Sequence, residues 1–423
     1  MRFCRTRWQP ARLTVRFRYS FHSGINRPPE PEVIAGSARE LPSAVKLAVV
    51  HDWLDVWRGG ENALAEICRV FPGADLFALV DFLAANDREK LQAKRASTSF
   101  LQKVPFARHY FRALLPFFPR AIESLDVSSY DVVISSSHAV AKGVRTHARQ
   151  LHVCYCYTPM RYAWDLKDVY LARTGLDRGI RGRVARGILS RLQSWDRAAS
   201  ERVDHFVAIS QYIAERILRC YGRKSTLIYP PVTIEPADDA TPSAGASYVT
   251  VAQLVPYKRV DLIVEAFRSL PQRELIVIGD GPERRRIEAI AVPNVRVLGR
   301  VTEKERDRWL MQARAFVIAA EEDFGIAPLE AQMCGKPVIA LRRGGAMETI
   351  RGLESPAPTG VFFDTQTAPA IAAAVRELEA NVARIQPAAC RENAARFGAE
   401  RFRREFGDFV RARWAEFSAR AKV

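Results

Sequence analysis

The segment FVIAAEEDFGIAPLEAQMCGKPVIALRRGGAMETI, Phe316 to Ile350, indicates which architecture the chain adopts. It opens on an apolar run that predicts a buried strand. Pro328 suits the first turn of a helix, where its missing N–H costs nothing. Gly335 ends that helix, a second apolar strand follows, and Gly344-Gly345 leads into another helix. This repeat of strand, loop and helix predicts an α/β fold with a parallel sheet.

Acidic side chains fall where these strands end and helices begin. Glu321 and Glu322 follow the first strand, Glu330 lies in the first helical turn, and Glu348 begins the next helix. Open α/β sheets bind ligands at this carboxyl edge. A carboxylate accepts hydrogen bonds from two adjacent hydroxyls, and free N–H groups at a helix start hold phosphate. The pattern suits a nucleotide bearing a sugar, although acids also occur near helix N-termini for dipole reasons alone.

The spacing of two of these acids carries a resemblance. Glu322 and Glu330 are separated by DFGIAPL and followed by AQMCGKPVIA. This string resembles the E-x7-E motif of retaining GT-B glycosyltransferases, family 4 in particular. The strings SSSHAVAKG, TPMRYAWD, VAIS and IYPPV are similar to a bacterial subgroup that contains many mannosyltransferases of surface polysaccharide assembly. The resemblance extends from Lys46 to about Phe363.

The resemblance implies a fold and the chain's composition limits its partners. GT-B enzymes have two Rossmann-like doubly wound domains facing across a cleft, and a C-terminal helix crossing back to the first. A net charge of +17 favours anionic partners. No zinc-finger, helix-turn-helix or RNP-type pattern occurs, so nucleic acid is not expected. Seven scattered cysteines indicate free thiols in a reducing, cytoplasmic compartment.

Composition also divides the chain. Residues 1–45 are basic and predict a disordered arm, or an over-extended start of the reading frame. The segment EPADDATPSAGAS has linker composition. We expect the following order: an arm at 1–45, an acceptor domain at 46–232, a linker at 233–247, a donor domain at 248–395 and an amphipathic helix at 396–423.

Three positions in the first domain attract notice. Gly59-Gly60 follows a predicted strand and precedes the predicted helix Asn62 to Val70, which suits either an ordinary turn or a close approach to an anion. The resemblance implies that these glycines face the sugar diphosphate. His138 follows a later strand, where a histidine is either structural or catalytic. Tyr157 stands before Thr-Pro, where related sequences commonly carry histidine.

The second domain supplies the predicted donor site. The resemblance implies that Lys258 touches the diphosphate, although a lysine at a helix start is also common on surfaces. Gln253 stands where the family usually has arginine, so we expect Arg259, or Arg342 and Arg343, to supply the missing charge.

The other donor contacts are also implied by the resemblance. Glu322 contacts hexose hydroxyls and Glu330 the ribose, while Leu298 flanks the base. The remaining predicted donor residues are glycines: Gly281, Gly344 and Gly345. No Asp-x-Asp occurs, which favours a site without a metal or a cofactor, with the nucleotide sugar as co-substrate. GDP-mannose is the first expected donor, and UDP-hexose stays open.

Residues 88–125 alternate aromatic and basic side chains at helical spacing and hold few acids. Such a face suits an anionic membrane surface or a lipid-linked acceptor, for example a polyprenyl-diphosphate-linked glycan. It also fits a solvated face over an ordinary core. A position at the inner face of the membrane is therefore expected.

The sequence predicts a retaining hexosyltransferase, with mannose as the first choice of sugar. Three other functions stay open: a GT-B nucleotide-sugar epimerase, a non-catalytic nucleotide-sugar-binding homologue, and a membrane-surface adaptor. Epimerisation would need no acceptor, and the non-catalytic alternative is suggested by Gln253 and Tyr157.

Overall fold

The structure, a computed structural model, describes residues 40–165, 167, 171, 178–234 and 245–420. Most of the predicted N-terminal arm and of the predicted linker lies outside the described residues.

The strands of the first lobe form one parallel seven-stranded sheet in the order β3-β2-β1-β4-β5-β6-β7. They are β1 Leu47–His51, β2 Asp75–Ala78, β3 Ser97–Thr98, β4 Val132–Ser137, β5 Leu151–Cys156, β6 His205–Ala208 and β7 Ser225–Leu227. The helices described between them are α1 Gly59–Val70, α2 Ala85–Glu89, α3 Ala107–Tyr110, α4 Phe118–Glu123, α5 Gly179–Ser200 and α6 Gln211–Tyr221.

The second lobe repeats this plan with a parallel six-stranded sheet in the order β10-β9-β8-β11-β12-β13. The strands are β8 Ser247–Val251, β9 Glu274–Ile278, β10 Val295–Gly299, β11 Ala315–Ile318, β12 Val338–Leu341 and β13 Gly360–Phe363. The helices are α7 Val260–Arg268, α8 Arg284–Ile290, α9 Glu303–Gln312, α10 Ile326–Met333, α11 Ala346–Thr349, α12 Ala368–Ala380, α13 Pro387–Ala395 and α14 Ala399–Arg420. The predicted α/β architecture of two doubly wound domains is confirmed.

The central strands are buried because helices cover both faces of each sheet. Every residue of β4 and β5 is buried, and so is every residue of β11 and β12. Strands buried on both faces are nearly continuous apolar runs. This explains why the run that opens the quoted segment predicted a strand correctly.

Strand order places two loops in each lobe at the same point. The order reverses between β1 and β4 in the first lobe, and between β8 and β11 in the second. Loops after such neighbouring strands diverge and leave a crevice at the carboxyl ends. Gly59 follows β1 and His138 follows β4, whereas Lys258 follows β8 and Glu322 follows β11.

Helix α14 crosses back to the first lobe, as the resemblance implied. Val232 forms a bridge with Gly398, just before the helix begins. Phe402 and Phe406 of α14 are fully buried and meet the ring of Tyr155 on β5, each at 5.5 Å between centroids. The chain therefore closes on the lobe in which it began.

One local prediction was wrong. Helix α1 begins at Gly59 rather than Asn62, so both glycines lie in its first turn. Residues 88–125 form short α and 3-10 segments, with Pro116 inside one of them and Pro119 in the first turn of α4. Across the described ranges, no helix has the length and apolar character needed to cross a membrane.

Candidate active site

A cavity of about 250 Å³ lies between the two lobes. Its walls come from the loops at both switch points and from α10. It brings together five of the residues predicted from the sequence: Gly59, Gly60, Tyr157, Lys258 and Glu322.

Lys258 and Glu322 form the polar part of the second-lobe wall. Lys258 Nζ donates to both carboxylate oxygens of Glu322, at 2.6 and 2.7 Å. An ammonium group here can bind a diphosphate, and a carboxylate can accept hydrogen bonds from sugar hydroxyls. A diphosphate would compete with Glu322 for the ammonium, so donor binding is expected to rearrange this pair.

The first-lobe wall is formed by the glycines that begin α1. A Cβ atom on Gly59 would lie 2.6 Å from Ile326 Cδ1, so a larger residue here would collide with the second lobe. A Cβ atom added to Gly60 would lie 3.8 Å from the ring of Tyr157. The missing side chains keep backbone groups of the first helical turn close to the cavity.

Tyr157 belongs to a hydrogen-bonded group behind these glycines. Its hydroxyl donates to the Gly60 carbonyl at 2.8 Å and lies 2.9 Å from Ser136 Oγ. Ser136 Oγ in turn lies 3.0 Å from His51 Nδ1. Burial raises the pKa of Tyr157 well above its ordinary value. Tyr157 therefore stays protonated and holds the glycine turn, and it is not a general base.

His138 lies beside the cavity wall, not in it. Its ring centroid is 6.4 Å from that of Tyr157. The structure therefore places three of the predicted catalytic side chains, Lys258, Glu322 and His138, at the switch points of the two sheets, and Tyr157 after the neighbouring strand β5.

Glu330, which the resemblance assigns to the ribose, is buried in this structure. It lies within α10, and Arg306 of α9 covers it, with Nη1 3.8 Å from Glu330 Oε1. Burial raises the pKa of Glu330, although Arg306 opposes the shift.

Three predicted donor glycines contact protein backbone instead of the cavity. Gly344 pairs with Glu322 in a short parallel bridge, and Gly345 N–H donates to the Glu322 carbonyl at 2.8 Å. A Cβ atom on Gly281 would lie 2.4 Å from the Leu254 carbonyl oxygen. These glycines allow the loops that carry Glu322 and Lys258 to pack closely. Their observed role is support of the site.

The arginines expected to supply the positive charge that is absent at Gln253 do not line the cavity. Arg259 pairs with Asp261, and Arg342 pairs with Asp364. Arg343 is exposed, and so is Gln253. Leu298 packs partly buried against the core of the second lobe. None of these residues is part of the cavity wall.

A nearer cation comes from the first lobe and was missed. Arg161 forms an ion pair with Asp323, the residue that follows Glu322. Its guanidinium lies 5.4 Å from the centre of the Tyr257 ring, while Lys258 Nζ lies 5.7 Å from the same ring. The signal was present in the string TPMRYAWD, but sequence alone did not indicate that this loop crosses the cleft.

The other acids around Glu322 bind the start of α6 in the first lobe. Glu348 accepts the N–H groups of Gln211 and Tyr212 at 2.8 and 3.0 Å. Glu321 accepts the Tyr212 hydroxyl at 2.6 Å. These acids therefore join the two lobes. The sequence had suggested that they face a ligand, but their carboxylates bind the first lobe instead.

Asp323 strengthens the same interface. Arg216 of α6 donates to its carboxylate at 3.0 Å, beside Arg161. Ser210 Oγ, which also caps α6, donates to the Asp323 carbonyl at 2.6 Å. The loop that presents Glu322 is thus held from the first lobe.

Two family models match adjacent parts of the chain. The model described as Glycosyltransferase Family 4 matches residues 57–236, and the model described as Glycosyl transferases group 1 matches residues 234–397. The two matches meet at the boundary between the lobes.

The chain spans about half the length of the curated relatives that it matches. A GDP-mannose-dependent monoacylated alpha-(1-6)-phosphatidylinositol monomannoside mannosyltransferase of Corynebacterium glutamicum is 29% identical over 188 residues, 36% of this chain and 48% of the relative. A GDP-mannose-dependent alpha-(1-6)-phosphatidylinositol monomannoside mannosyltransferase of Mycobacterium tuberculosis is 27% identical over 226 residues, 46% of this chain and 56% of the relative.

Solved structures share the fold over most of the chain. Sucrose-phosphate synthase from Thermosynechococcus elongatus superposes with a TM-score of 0.64 at 19% identity, covering 88% of this chain and 100% of that one. Anabaena HepE in complex with UDP-glucose superposes with a TM-score of 0.60 at 17% identity, covering 86% and 99%.

Proposed function

We propose, from the premise that the chain belongs to the family 4 glycosyltransferases of GT-B fold, that it transfers a hexose from a nucleotide sugar to a glycan or lipid-linked acceptor. The observation that carries the proposal is the Lys258–Glu322 pair on the wall of the interlobe cavity, opposite Gly59 and Gly60. A cation for a diphosphate and an acceptor for sugar hydroxyls stand side by side there.

The chemistry asked of these residues is stabilisation of a leaving group. Breaking the bond between the anomeric carbon and the phosphate oxygen leaves negative charge on the diphosphate. Lys258 and the backbone N–H groups at the start of α1 are positioned to stabilise that charge. Glu322 would orient the hexose through its hydroxyls. We propose transfer with retention, the outcome typical of the E-x7-E enzymes that the motif resembles.

GDP-mannose is the donor we propose first. Both mannosyltransferase relatives are named as GDP-mannose-dependent, which supports mannose as the sugar and guanine as the base. HepE was solved with UDP-glucose, so a UDP-hexose is the next donor to test.

A lipid-linked acceptor at an anionic membrane surface fits the first lobe. Exposed aromatic side chains cluster in residues 88–125, within or next to the 3-10 and α segments there: Phe100, Phe106, Tyr110 and Phe117. Arg108, Arg112 and Arg120 are exposed in the same segment. Apolar side chains that enter the lipid interface beside arginines that meet anionic headgroups are what such a surface requires.

The proposal is tested first by ligand binding and then by transfer. A ligand that binds the folded chain raises its melting temperature. Thermal shift against GDP, UDP, ADP and their hexose derivatives should single out GDP and GDP-mannose. Release of GDP that depends on added lipid-linked acceptor would separate transfer from epimerisation. If none of these nucleotides stabilises the chain, the proposed donor site is wrong.

A further inference from the structure

A buried acid organises the turn that carries His138. Asp52 follows β1 and is fully buried. Its Oδ2 accepts the N–H groups of His138 and Ala139 at 2.6 and 3.0 Å, and its Oδ1 accepts those of Val140 and Ala141 at 2.6 and 2.7 Å. Burial alone would raise the pKa of Asp52, but the charge and hydrogen bonds of His138, together with the charge of His51, lower it below its ordinary value. Asp52 is therefore a carboxylate.

The same carboxylate also fixes the imidazole ring. His138 Nδ1 lies 2.9 Å from Asp52 Oδ2. The ring stands edge-on to Trp53, with 4.5 Å between centroids. These two contacts determine the orientation of the ring. The side chain is 33% exposed, and Nε2 has no hydrogen-bond partner among the described residues.

A second buried acid holds the far end of the turn. Lys142 Nζ lies 2.5 Å from Asp196 Oδ1, and both side chains are fully buried. Lys142 Nζ also donates to the Ala139 carbonyl at 2.6 Å. Residues 138–142 are thus held between the carboxylate of Asp52, which follows β1, and that of Asp196 in α5. A turn held from both sides keeps its histidine in one place.

The titratable neighbours of His138 come from three elements besides Asp52. His51 of β1 lies 6.1 Å away and Tyr157, which follows β5, lies 6.4 Å away, both between ring centroids. Glu61 and Arg58, at the start of α1, act on His138 in opposite directions. Burial lowers the pKa of His138, but Asp52 more than offsets this and raises it above the ordinary value.

We propose that Asp52 is a positioning residue, which directs Nδ1–H of His138 onto its own carboxylate and leaves Nε2 to bond the diphosphate of the donor. This rests on the proposed function, because the diphosphate is the group that carries the developing charge. As an imidazolium, His138 donates from Nε2 to that oxygen, and Asp52 compensates the ring charge. The neutral ring with Nδ1–H cannot donate from Nε2.

The alternative is that Asp52 only caps the turn. In that case His138 would not respond to a phosphate ligand, and the loss of its ring would leave the pH dependence of ligand binding unchanged. The two alternatives differ in measurements that do not need turnover.

The first measurement is an NMR titration of the imidazole, assigned with His138→Gln. In the wild type we expect the pKa of His138 to lie above that of a free histidine, with Nδ1 protonated throughout. Asp52→Asn should lower that pKa. Asp55→Asn, on the same loop but paired with Arg112, is the matched control and should change nothing.

The second measurement is calorimetry with GDP and with inorganic pyrophosphate at pH 6 and pH 8. Both probes should bind the wild type several-fold more tightly at pH 6, and His138→Gln should remove that part of the pH dependence. If Asp52→Asn does not fold, the wild-type titration and the His138→Gln calorimetry still decide the question.

The proposal is overturned if His138 titrates at or below the value of free histidine, if Asp52→Asn leaves its pKa unchanged, or if His138→Gln keeps the full pH dependence of binding. Binding of pyrophosphate without GDP or any sugar nucleotide would contradict the proposed donor but support the His138 contact. If neither probe binds at either pH, both the donor site and the substrate role of His138 fail.

Discussion

Lys258 and Glu322 are separated by 64 positions in the chain, yet Lys258 Nζ lies within 2.7 Å of both oxygens of the Glu322 carboxylate. The pair joins the loops that follow β8 and β11, the two strands at which the order of the second sheet reverses. A partly buried pair of this kind stabilises the two loops. It can also bind substrate, since each side chain can release its partner and bind a substrate group instead.

That exchange predicts opposite effects of Glu322→Gln on binding and on transfer. Without the carboxylate, Lys258 loses a competitor worth about 1 kcal/mol, so GDP should bind roughly fivefold more tightly. Turnover should fall, because an amide orients the hexose hydroxyls less strongly than a carboxylate. Calorimetry with GDP and single-turnover transfer measure the two effects. Glu321→Gln, whose carboxylate contacts Tyr212 instead, is the matched control. Weaker GDP binding by Glu322→Gln would refute the exchange.

Gln253 is exposed and lies outside the cavity wall, but an arginine at this position is long enough to extend from the loop after β8, so Gln253→Arg should speed transfer if it reaches the diphosphate. A hydrogen bond from a charged donor is worth roughly 1.5–3 kcal/mol against about 1 for a neutral one. Felt only in the transition state, the difference corresponds to roughly 2- to 30-fold in turnover. Gln272→Arg adds the same charge just before the amino end of β9, away from the carboxyl edge of the sheet, and should have no such effect. A neutral or slower Gln253→Arg would mean that another cation already fills the position, and Arg161 is then the residue to substitute.

Glu330→Ala should lose donor binding while the chain stays folded, if Glu330 binds the ribose. Glu330→Gln is the sharper variant because it preserves the volume beside Arg306; it should weaken GDP-mannose binding by roughly 2- to 30-fold. Arg306→Gln is the control. If Glu330 only pairs with Arg306, then Arg306→Gln and Glu330→Gln should change GDP-mannose affinity equally. Unchanged donor affinity in folded Glu330→Ala and Glu330→Gln would refute the ribose contact.

The pH dependence of stability gives Glu330 an independent readout. Folding raises the pKa of this acid, so the folded chain binds its proton more tightly than the unfolded chain does. Its contribution to stability is therefore lost as the pH rises from about 4.3 through the folded value. We expect the free energy of unfolding of Glu330→Gln, measured relative to that of the wild type, to increase as the pH rises over that range.

The membrane surface predicts that Phe106→Ser combined with Phe117→Ser weakens binding to vesicles containing phosphatidylglycerol by at least about tenfold. Both side chains are more than half exposed. Val382→Ser, an exposed apolar position in the second lobe, is the control. Wild-type binding should also weaken with salt, because screening shortens the reach of Arg108, Arg112 and Arg120. Flotation that ignores salt and lipid charge would contradict this surface.

Much of the fold could be predicted because it depends on local patterns. The apolar runs became β11 and β12, and Pro328 lies in the first helical turn of α10 as expected. The E-x7-E spacing and the glycine pair picked out three residues that line the cavity, Glu322, Gly59 and Gly60, although α1 begins three residues earlier than expected. Pairings distant in sequence could not be predicted in this way. Asp52 meets residues 138–141 only because β1 and β4 are neighbours in the sheet.

The contacts between the lobes were the least predictable part of the site. Glu348 looks like an acid at its own helix start, yet it accepts N–H groups from α6 in the other lobe. Glu330 looks like a free acid at a helix start, and its burial depends on α9, which precedes it by a strand and a loop. Charge and spacing indicate that such acids matter, but only packing decides which of them a substrate can reach.

The most direct test of the donor site is calorimetry with GDP and GMP on the wild type, on Lys258→Ala and on the control Lys224→Ala, an exposed lysine of the first lobe. If Lys258 holds the second phosphate, the wild type and the control should bind GDP on the order of tenfold more tightly than GMP, and Lys258→Ala should lose most of that difference. Equal binding of GDP and GMP by the wild type, or a GDP preference that survives in Lys258→Ala, would contradict the account.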